Sequence, residues 1–352
     1  MNILYIITKS EIGGAQKFVY EQILLLANDE KYNLFLATNK SGWLVEKILE
    51  LIDDKNILLS NSIEKGLSTF FLYQLSRFLI VHKIDLIVSS SANAGLYGRL
   101  AGFLTLKKTI YVSHGWSSIY NGGRFIMFYN FAERVLSMIS SSIWCISEMD
   151  KIKAIQIIKI SPHKIKVLTN SVYPPPSIVN SDCQGYDGDF VSVCRLSNPK
   201  RIDLLLEAMS LLPNNSLHIF GDGPQRAYLM QLSASKQLKN VFFKGEIAGF
   251  SGYKKYRVFC LISDSEGLPI SALEAISHGM PIVLSNVGGC NEIISNNGFL
   301  VNNSPPEIAN SLQKCLENQQ VYGYESKKLF NEKYNLARNI DLIKNYFDKV
   351  LE

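Results

Sequence analysis

The stretch SDSEGLPISALEAISHGMP, residues 263–281, decides how the rest of the chain is read. Glu266 and Glu274 stand eight positions apart in an apolar setting, and Pro269 suits the first position of a helix over 270–279. The amides of 270 to 272, including Ile270, are then uncommitted, and together with the positive end of the helix dipole they favour an anion. Leu268, Pro269 and Ile270 at that helix start are expected to bind the ligand. Glu274 falls in the second turn and Glu266 in the loop just before, so both carboxylates reach the same ligand.

Working outward, apolar runs of strand length flank this helix: VFCLIS before it and PIVLS after it. Further upstream come FVSVCRL, a helix over 202–212, LHIF, a helix near 224–235, and NVFF. The first half alternates in the same way. NILYII, NLFLAT, DLIVSS, TIYVSH, SIWCIS and KIKVLT are separated by helical patterns near 14–30, 43–52, 67–82, 94–104, 124–140 and 148–159. Strands alternating with helices predict the α/β class with parallel, doubly wound sheets. Three consecutive prolines in NSVYPPPSIVNSDCQGYDGD, 170–189, exclude helix and suit a spacer. The expected organisation is two Rossmann-like domains, 1–170 and 189–335, joined by a linker over 171–188. A helix over 336–352 is expected to cross back to the first domain. Ligands of such sheets bind beyond the carboxyl ends of the strands, so a cleft between two such edges is the expected site.

At 352 residues, with 47% hydrophobic and 19% charged, the chain is long enough for two globular cores. Six scattered cysteines without a C-x-x-C pair predict free thiols and a reducing compartment. No spacing suggests zinc, and DGD at 187–189 reads as turn chemistry ahead of a strand. The N-terminus lacks a basic n-region and a cleavage site, and no apolar run reaches spanning length, so a cytoplasmic protein is expected. The net charge of +5 is modest, and no nucleic-acid partner is expected. Its distribution is uneven, with twelve Lys/Arg against four Asp/Glu between Arg77 and Lys166.

Other strand-to-helix junctions carry further candidates. Gly13 and Gly14 follow the first strand and open a helix where backbone can approach phosphate, but without G-x-G-x-x-G spacing a plain tight turn is the simpler reading. Gly221 and Gly223 in FGDGPQR follow another strand. In CRLSNPKRID, Arg195 ends a strand while Lys200 and Arg201 enter the next helix, a fork and point charges suited to a diphosphate. A solvated turn is the alternative. His114 ends a strand of the first half and is followed by Gly115. Cations and a helix start for phosphate, with carboxylates beside them for hydroxyls, suit a sugar nucleotide.

The Glu266-x7-Glu274 motif, the GDGP loop, Arg195 and Lys200 in RLSNPK, SNVGGCNEII and the N-terminal GGAQ resemble a retaining glycosyltransferase of family 4 with the GT-B fold. The resemblance spans both halves. TKSEIGGAQ, SSSANAGLYGRL and VSHGWSSIYNGGR are similar to bacterial O-antigen transferases that move N-acetylgalactosamine onto a polyprenyl-diphosphate-linked sugar. Gly115 stands where many relatives have Asp, and Leu268-Pro269 replaces the commoner aromatic and glycine.

The resemblance implies that Arg195 and Lys200 hold the donor diphosphate and Glu266 meets the donor sugar hydroxyls. It also implies that Glu274 binds the ribose, that Gly13, Gly14, Gly221 and Gly223 lie on the donor side near the phosphates, and that His114, beside the transferred sugar, and Glu266 are the catalytic residues. Metal is expected to be dispensable, because two cations and a helix terminus neutralise the leaving group, and no other cofactor is implied. The implied partners are a UDP-sugar donor, a lipid-diphosphate-linked saccharide acceptor and the inner face of the plasma membrane. RFIMFYNFAERVLSMI (124–139) and DKIKAIQIIKI (150–160) mix apolar with cationic positions, which fits either a membrane surface or helices packed on the sheet with solvated lysines. A sugar-nucleotide epimerase and a non-catalytic donor-binding subunit are the alternatives.

Overall fold

A computed structural model describes residues 1–120, 123–176, 185–247 and 249–352. The chain divides into two compact units, Met1–Asn170 with Ala337–Glu352, and Ser171–Leu336. Residues 177–184 of the expected linker lie outside the described residues, as do 121–122 of the VSHGWSSIYNGGR segment.

The first unit holds β1 (Asn2–Ile7), β2 (Asn33–Thr38), β3 (Ile57–Leu59), β4 (Leu86–Ser90), β5 (Lys108–Ser113), β6 (Ser142–Cys145) and β7 (Ile165–Val167). They form one sheet in the order β3-β2-β1-β4-β5-β6-β7, every pairing parallel. Ile3 to Ile7 are wholly inaccessible. Such a continuous apolar run belongs to a strand covered on both faces, unlike the alternating pattern of a half-exposed one.

The second unit holds β8 (Gly188–Val193), β9 (Leu217–Phe220), β10 (Val241–Gly245), β11 (Tyr256–Leu261), β12 (Ile282–Ser285) and β13 (Gly298–Val301), again parallel, in the order β10-β9-β8-β11-β12-β13. Both sheets are therefore doubly wound, as the alternation predicts. In each the winding reverses beside the first strand, between β1 and β4 and between β8 and β11.

Several boundaries differ from the sequence reading. β3 and β13, an edge strand of each sheet, are not foreseen. They exist through register with β2 and β12. The expected helix over 148–159 is a helix Glu148–Lys153 that widens into a π-turn, Ala154–Ile158. Asp189 lies within β8 instead of before it, accepting from the Ser216 amide at 3.0 Å and from Arg257 at 3.3 Å. Helix Leu336–Leu351 belongs to the first unit from Ala337 on: Trp144 meets Tyr346 and Phe347 edge-on, and Lys31 pairs with Asp348 at 2.8 Å. Among the described residues no helix is long and apolar enough to cross a membrane.

Candidate active site

In the second unit the reversal between β8 and β11 places two loops side by side. The loop after β8 runs from Cys194 to Arg201, and the one after β11 leads through Glu266 into helix Ile270–Ser277. The two are sewn together by main chain. Arg201 N–H donates to Ile262 O and Asp264 N–H to Pro199 O, both at 2.9 Å, and Ser263 Oγ donates to Pro199 O at 3.1 Å. This pairing carries Lys200 onto Glu266, whose Oε1 forms an ion pair with Lys200 Nζ. Both side chains are largely buried, 18% and 10% exposed. Burial alone would depress the Lys200 ammonium, but the Glu266 carboxylate beside it holds its pKa above the ordinary value.

Two cysteines, Cys194 and Cys290, border this pair electrostatically. Burial pushes the Cys194 thiol up to about 11 and raises Cys290 as well, so both remain protonated neighbours of the ion pair at neutral pH. Arg195 lies two residues beyond the end of β8 and is exposed, where the sequence reading has it ending the strand.

Gly221 and Gly223 follow β9, and their place is against the β8 loop. Leu196 N–H donates to Asp222 O at 2.8 Å, and a Cβ on Gly221 would stand 1.8 Å from Cys194 O. Their φ values of +142° and +157° reinforce the requirement. These glycines let the loop bearing Arg195 and Lys200 be clamped from its other side. Gly288, in the segment after β12, does the same for Glu266: at φ +54° its Cβ would fall 1.7 Å from Glu266 O, and Gly289 N–H donates to Gly267 O at 2.8 Å. In the sequence only a Gly-Gly pair after a strand marks Gly288.

The helix start differs in detail from expectation. Pro269 is the N-cap, not the first helical residue, and Ala272 N–H already donates to Pro269 O at 3.1 Å. Ile270 and Ser271 are therefore the leading donors. The side chains of Leu268 and Ile270 are buried, so they can offer a ligand only main chain. Glu274, one turn further on, accepts from the Tyr253 hydroxyl at 2.8 Å. Nothing in GYKKY marks Tyr253 in sequence as the partner of Glu274, since Tyr256 beside it is buried as well.

The remaining candidates lie in the first unit. Gly13 is the N-cap of helix Gly14–Leu26, in ordinary extended backbone, and Gln16 Nε2 donates back to Lys9 O at 3.0 Å, closing the loop after β1. His114 follows β5 and packs edge-on against Phe18 of that same helix, with ring centroids 4.9 Å apart. Its Nε2 is buried without a hydrogen-bond partner among the described residues, and burial lowers its pKa to about 4, so the ring is neutral at pH 7. A neutral imidazole donates or accepts a hydrogen bond but supplies no charge.

The family description Glycosyl transferases group 1 matches residues 178–334. Over 321 residues the chain is 41% identical to the O-antigen biosynthesis glycosyltransferase WbnH of Escherichia coli, an alignment covering 91% of this chain and 92% of that protein. The UDP-Gal:alpha-D-GlcNAc-diphosphoundecaprenol alpha-1,3-galactosyltransferase of Escherichia coli is 25% identical over 377 residues, covering 97% of this chain and 95% of the relative. In three dimensions the chain resembles Anabaena Alr3699/HepE, solved in complex with UDP, with a TM-score of 0.82 at 18% identity over 99% of this chain and 100% of that one. That likeness speaks to the fold, two parallel-sheet Rossmann-like domains of the GT-B type. On near full-length identity to a glycosyltransferase and on this architecture, the chain belongs to the group 1 glycosyltransferases.

Proposed function

We propose that this glycosyltransferase is retaining and moves a hexose or N-acetylhexosamine, N-acetylgalactosamine foremost, from a UDP-sugar to a lipid-diphosphate-linked saccharide during bacterial O-antigen or capsular polysaccharide assembly. The observation that carries the reading is the Lys200–Glu266 pair at the sheet's switch point, immediately before a helix start. The names of the two Escherichia coli relatives support the acceptor class and the process.

In this reading the ion pair keeps Lys200 charged and in place until the donor arrives. The diphosphate takes over the ammonium, assisted by Arg195 and the amides of Ile270 and Ser271. Glu266 is then released to sugar hydroxyls, while Glu274 takes the ribose. Gly13 and Gly14 are assigned to the phosphates and His114, as a neutral hydrogen-bonding ring, to the transferred sugar. The acceptor oxygen bonds to the anomeric carbon as its bond to the β-phosphate oxygen breaks. The acceptor proton passes to the departing diphosphate, on the face it leaves, so configuration is kept. Rate then rests on positioning and on the cations that neutralise the leaving group, with no metal required.

The test is incubation with a panel of UDP-sugars and synthetic lipid-diphosphate saccharides, read by mass spectrometry and by NMR of the new anomeric centre, with and without EDTA. A single mass increment with retained configuration and EDTA-insensitive rate is expected. Conversion of donor without acceptor would assign an epimerase instead, and inversion at the new linkage would refute the mechanism.

A further inference from the structure

Helix Ile126–Ile139 is built inside out. Its one carboxylate, Glu133, points inward and meets Arg99 of helix Ala92–Thr105, Nη1 to Oε2 at 2.8 Å, where Arg99 is wholly buried over the Tyr111 ring. The opposite side carries Met127, Phe128, Phe131, Val135 and Met138 at helical spacing, all exposed, Met127 to 83%. The ordinary rule for a helix on a sheet is the reverse, apolar stripe inward and charge outward. Because a charge pair buried in the protein holds the inner face, the helix cannot roll to hide the stripe.

Helix Thr69–Val81 repeats the pattern on the same side of the first sheet. Phe71, Leu75 and Leu79 fill the core beneath it, yet Phe70, Tyr73, Ile80 and Val81 face outward around Arg77. Helix Ala92–Thr105 packs between the two, and its end exposes Phe103, Leu104 and Leu106, the last at φ +56° and 92% exposed. These three helices hold no acidic residue besides the buried Glu133, while Arg77 and Arg134 lie within the outward stripes and Arg124 just precedes one. The face is thus apolar and purely cationic.

Charge decides what covers it. In a two-fold contact between copies the same patch meets itself, and arginines would face arginines with no carboxylate to balance them. A bilayer with anionic headgroups offers the complementary sign to the arginines and a hydrocarbon boundary to Phe128, Phe131 and Met127. We propose that the outward stripes of helices Thr69–Val81 and Ile126–Ile139, with the Phe103–Leu106 corner between them, form a docking face for an anionic lipid bilayer. The proposal rests on exposure and charge and is independent of how the active site is read.

Vesicle flotation of the full chain tests it, using phosphatidylcholine with about a quarter phosphatidylglycerol, and phosphatidylcholine alone, in about 0.1 M and about 1 M NaCl. The unaltered protein is expected to float with the anionic vesicles at low salt only. Phe128→Glu/Phe131→Glu and Arg77→Glu/Arg134→Glu should each weaken binding about tenfold or more. Val321→Glu/Tyr324→Glu, on exposed positions of the second unit, should bind as before. Phe131→Trp, a milder change, should blue-shift on vesicle addition and be quenched by brominated lipid. Absence of flotation at low salt, undiminished binding by both stripe variants, or an unquenched Trp at 131 would overturn the proposal. So would a dimer seen in sedimentation velocity and abolished by Phe128→Glu/Phe131→Glu, which would give the face to a second copy.

Discussion

The Tyr253 hydroxyl donates to Oε2 of Glu274 at 2.8 Å from a fully buried ring that packs edge-on against Phe250 and tilted against His278. Burial raises the phenol's pKa, so it stays a donor, and the acceptor-only carboxylate is fixed in one orientation on helix Ile270–Ser277. Tyr253→Phe keeps the ring packing and removes that restraint. The expected outcome is UDP affinity about tenfold weaker by calorimetry, with stability lower by about 1–2 kcal/mol in urea. Unchanged UDP affinity would mean that Glu274 is not a nucleotide ligand held by this contact.

Lys200 and Glu266 separate stability from chemistry. Removing one member strands the other in a largely buried site, so Lys200→Met or Glu266→Gln should cost about 3 kcal/mol of stability. Combining Lys200→Met with Glu266→Leu should recover much of that loss. Activity should behave differently, falling about a hundredfold or more in each single variant and staying low in the double. Recovery of activity along with stability would reduce the pair to a structural role.

Gly288→Ala places a methyl on the Glu266 carbonyl, backbone against backbone, where no flexible side chain can yield. A loss of about 2 kcal/mol or more is expected from the clash and the left-handed φ together, with reduced turnover because the Glu266 loop must move. Gly66→Ala is the control, since a Cβ there meets nothing within 4 Å. Thermal melts and initial rates of the two variants make the comparison.

His114 and Glu21 impose opposite pH dependences. Burial lowers His114 to about 4, so between about 6.5 and 4 the unfolded chain takes up a proton that the folded one refuses. Stability then falls as pH drops through that window, by up to about 3 kcal/mol, and His114→Gln should flatten the fall. Glu21 is raised to about 7, first by burial, with Lys17 opposing. Its contribution is present below about 4.5 and lost as pH rises through about 7. Glu21→Gln should therefore stabilise more at pH 8 than at pH 5. Urea titrations across pH of the three proteins check both signs.

The sequence by itself determined the alternation of strands and helices, hence two doubly wound sheets. Runs such as Ile3–Ile7 and Val258–Ile262 carry no polar residue besides Tyr5 and are unmistakable as covered strands. It also singled out Arg195, Lys200, Glu266 and Glu274 as candidates, because they are charged residues at strand ends beside a helix start. Tertiary structure alone decided the rest, since register and burial are long-range. That Lys200 lands on Glu266 follows from main-chain pairing between residues 199–201 and 262–264, some sixty positions apart, which no local pattern encodes. Tyr253 became a partner of Glu274 only through being buried. Helix Ile126–Ile139 shows the limit most plainly: its sequence is amphipathic, and amphipathicity predicts the apolar side inward. The buried Arg99–Glu133 pair, contributed by two separate helices, turned it the other way.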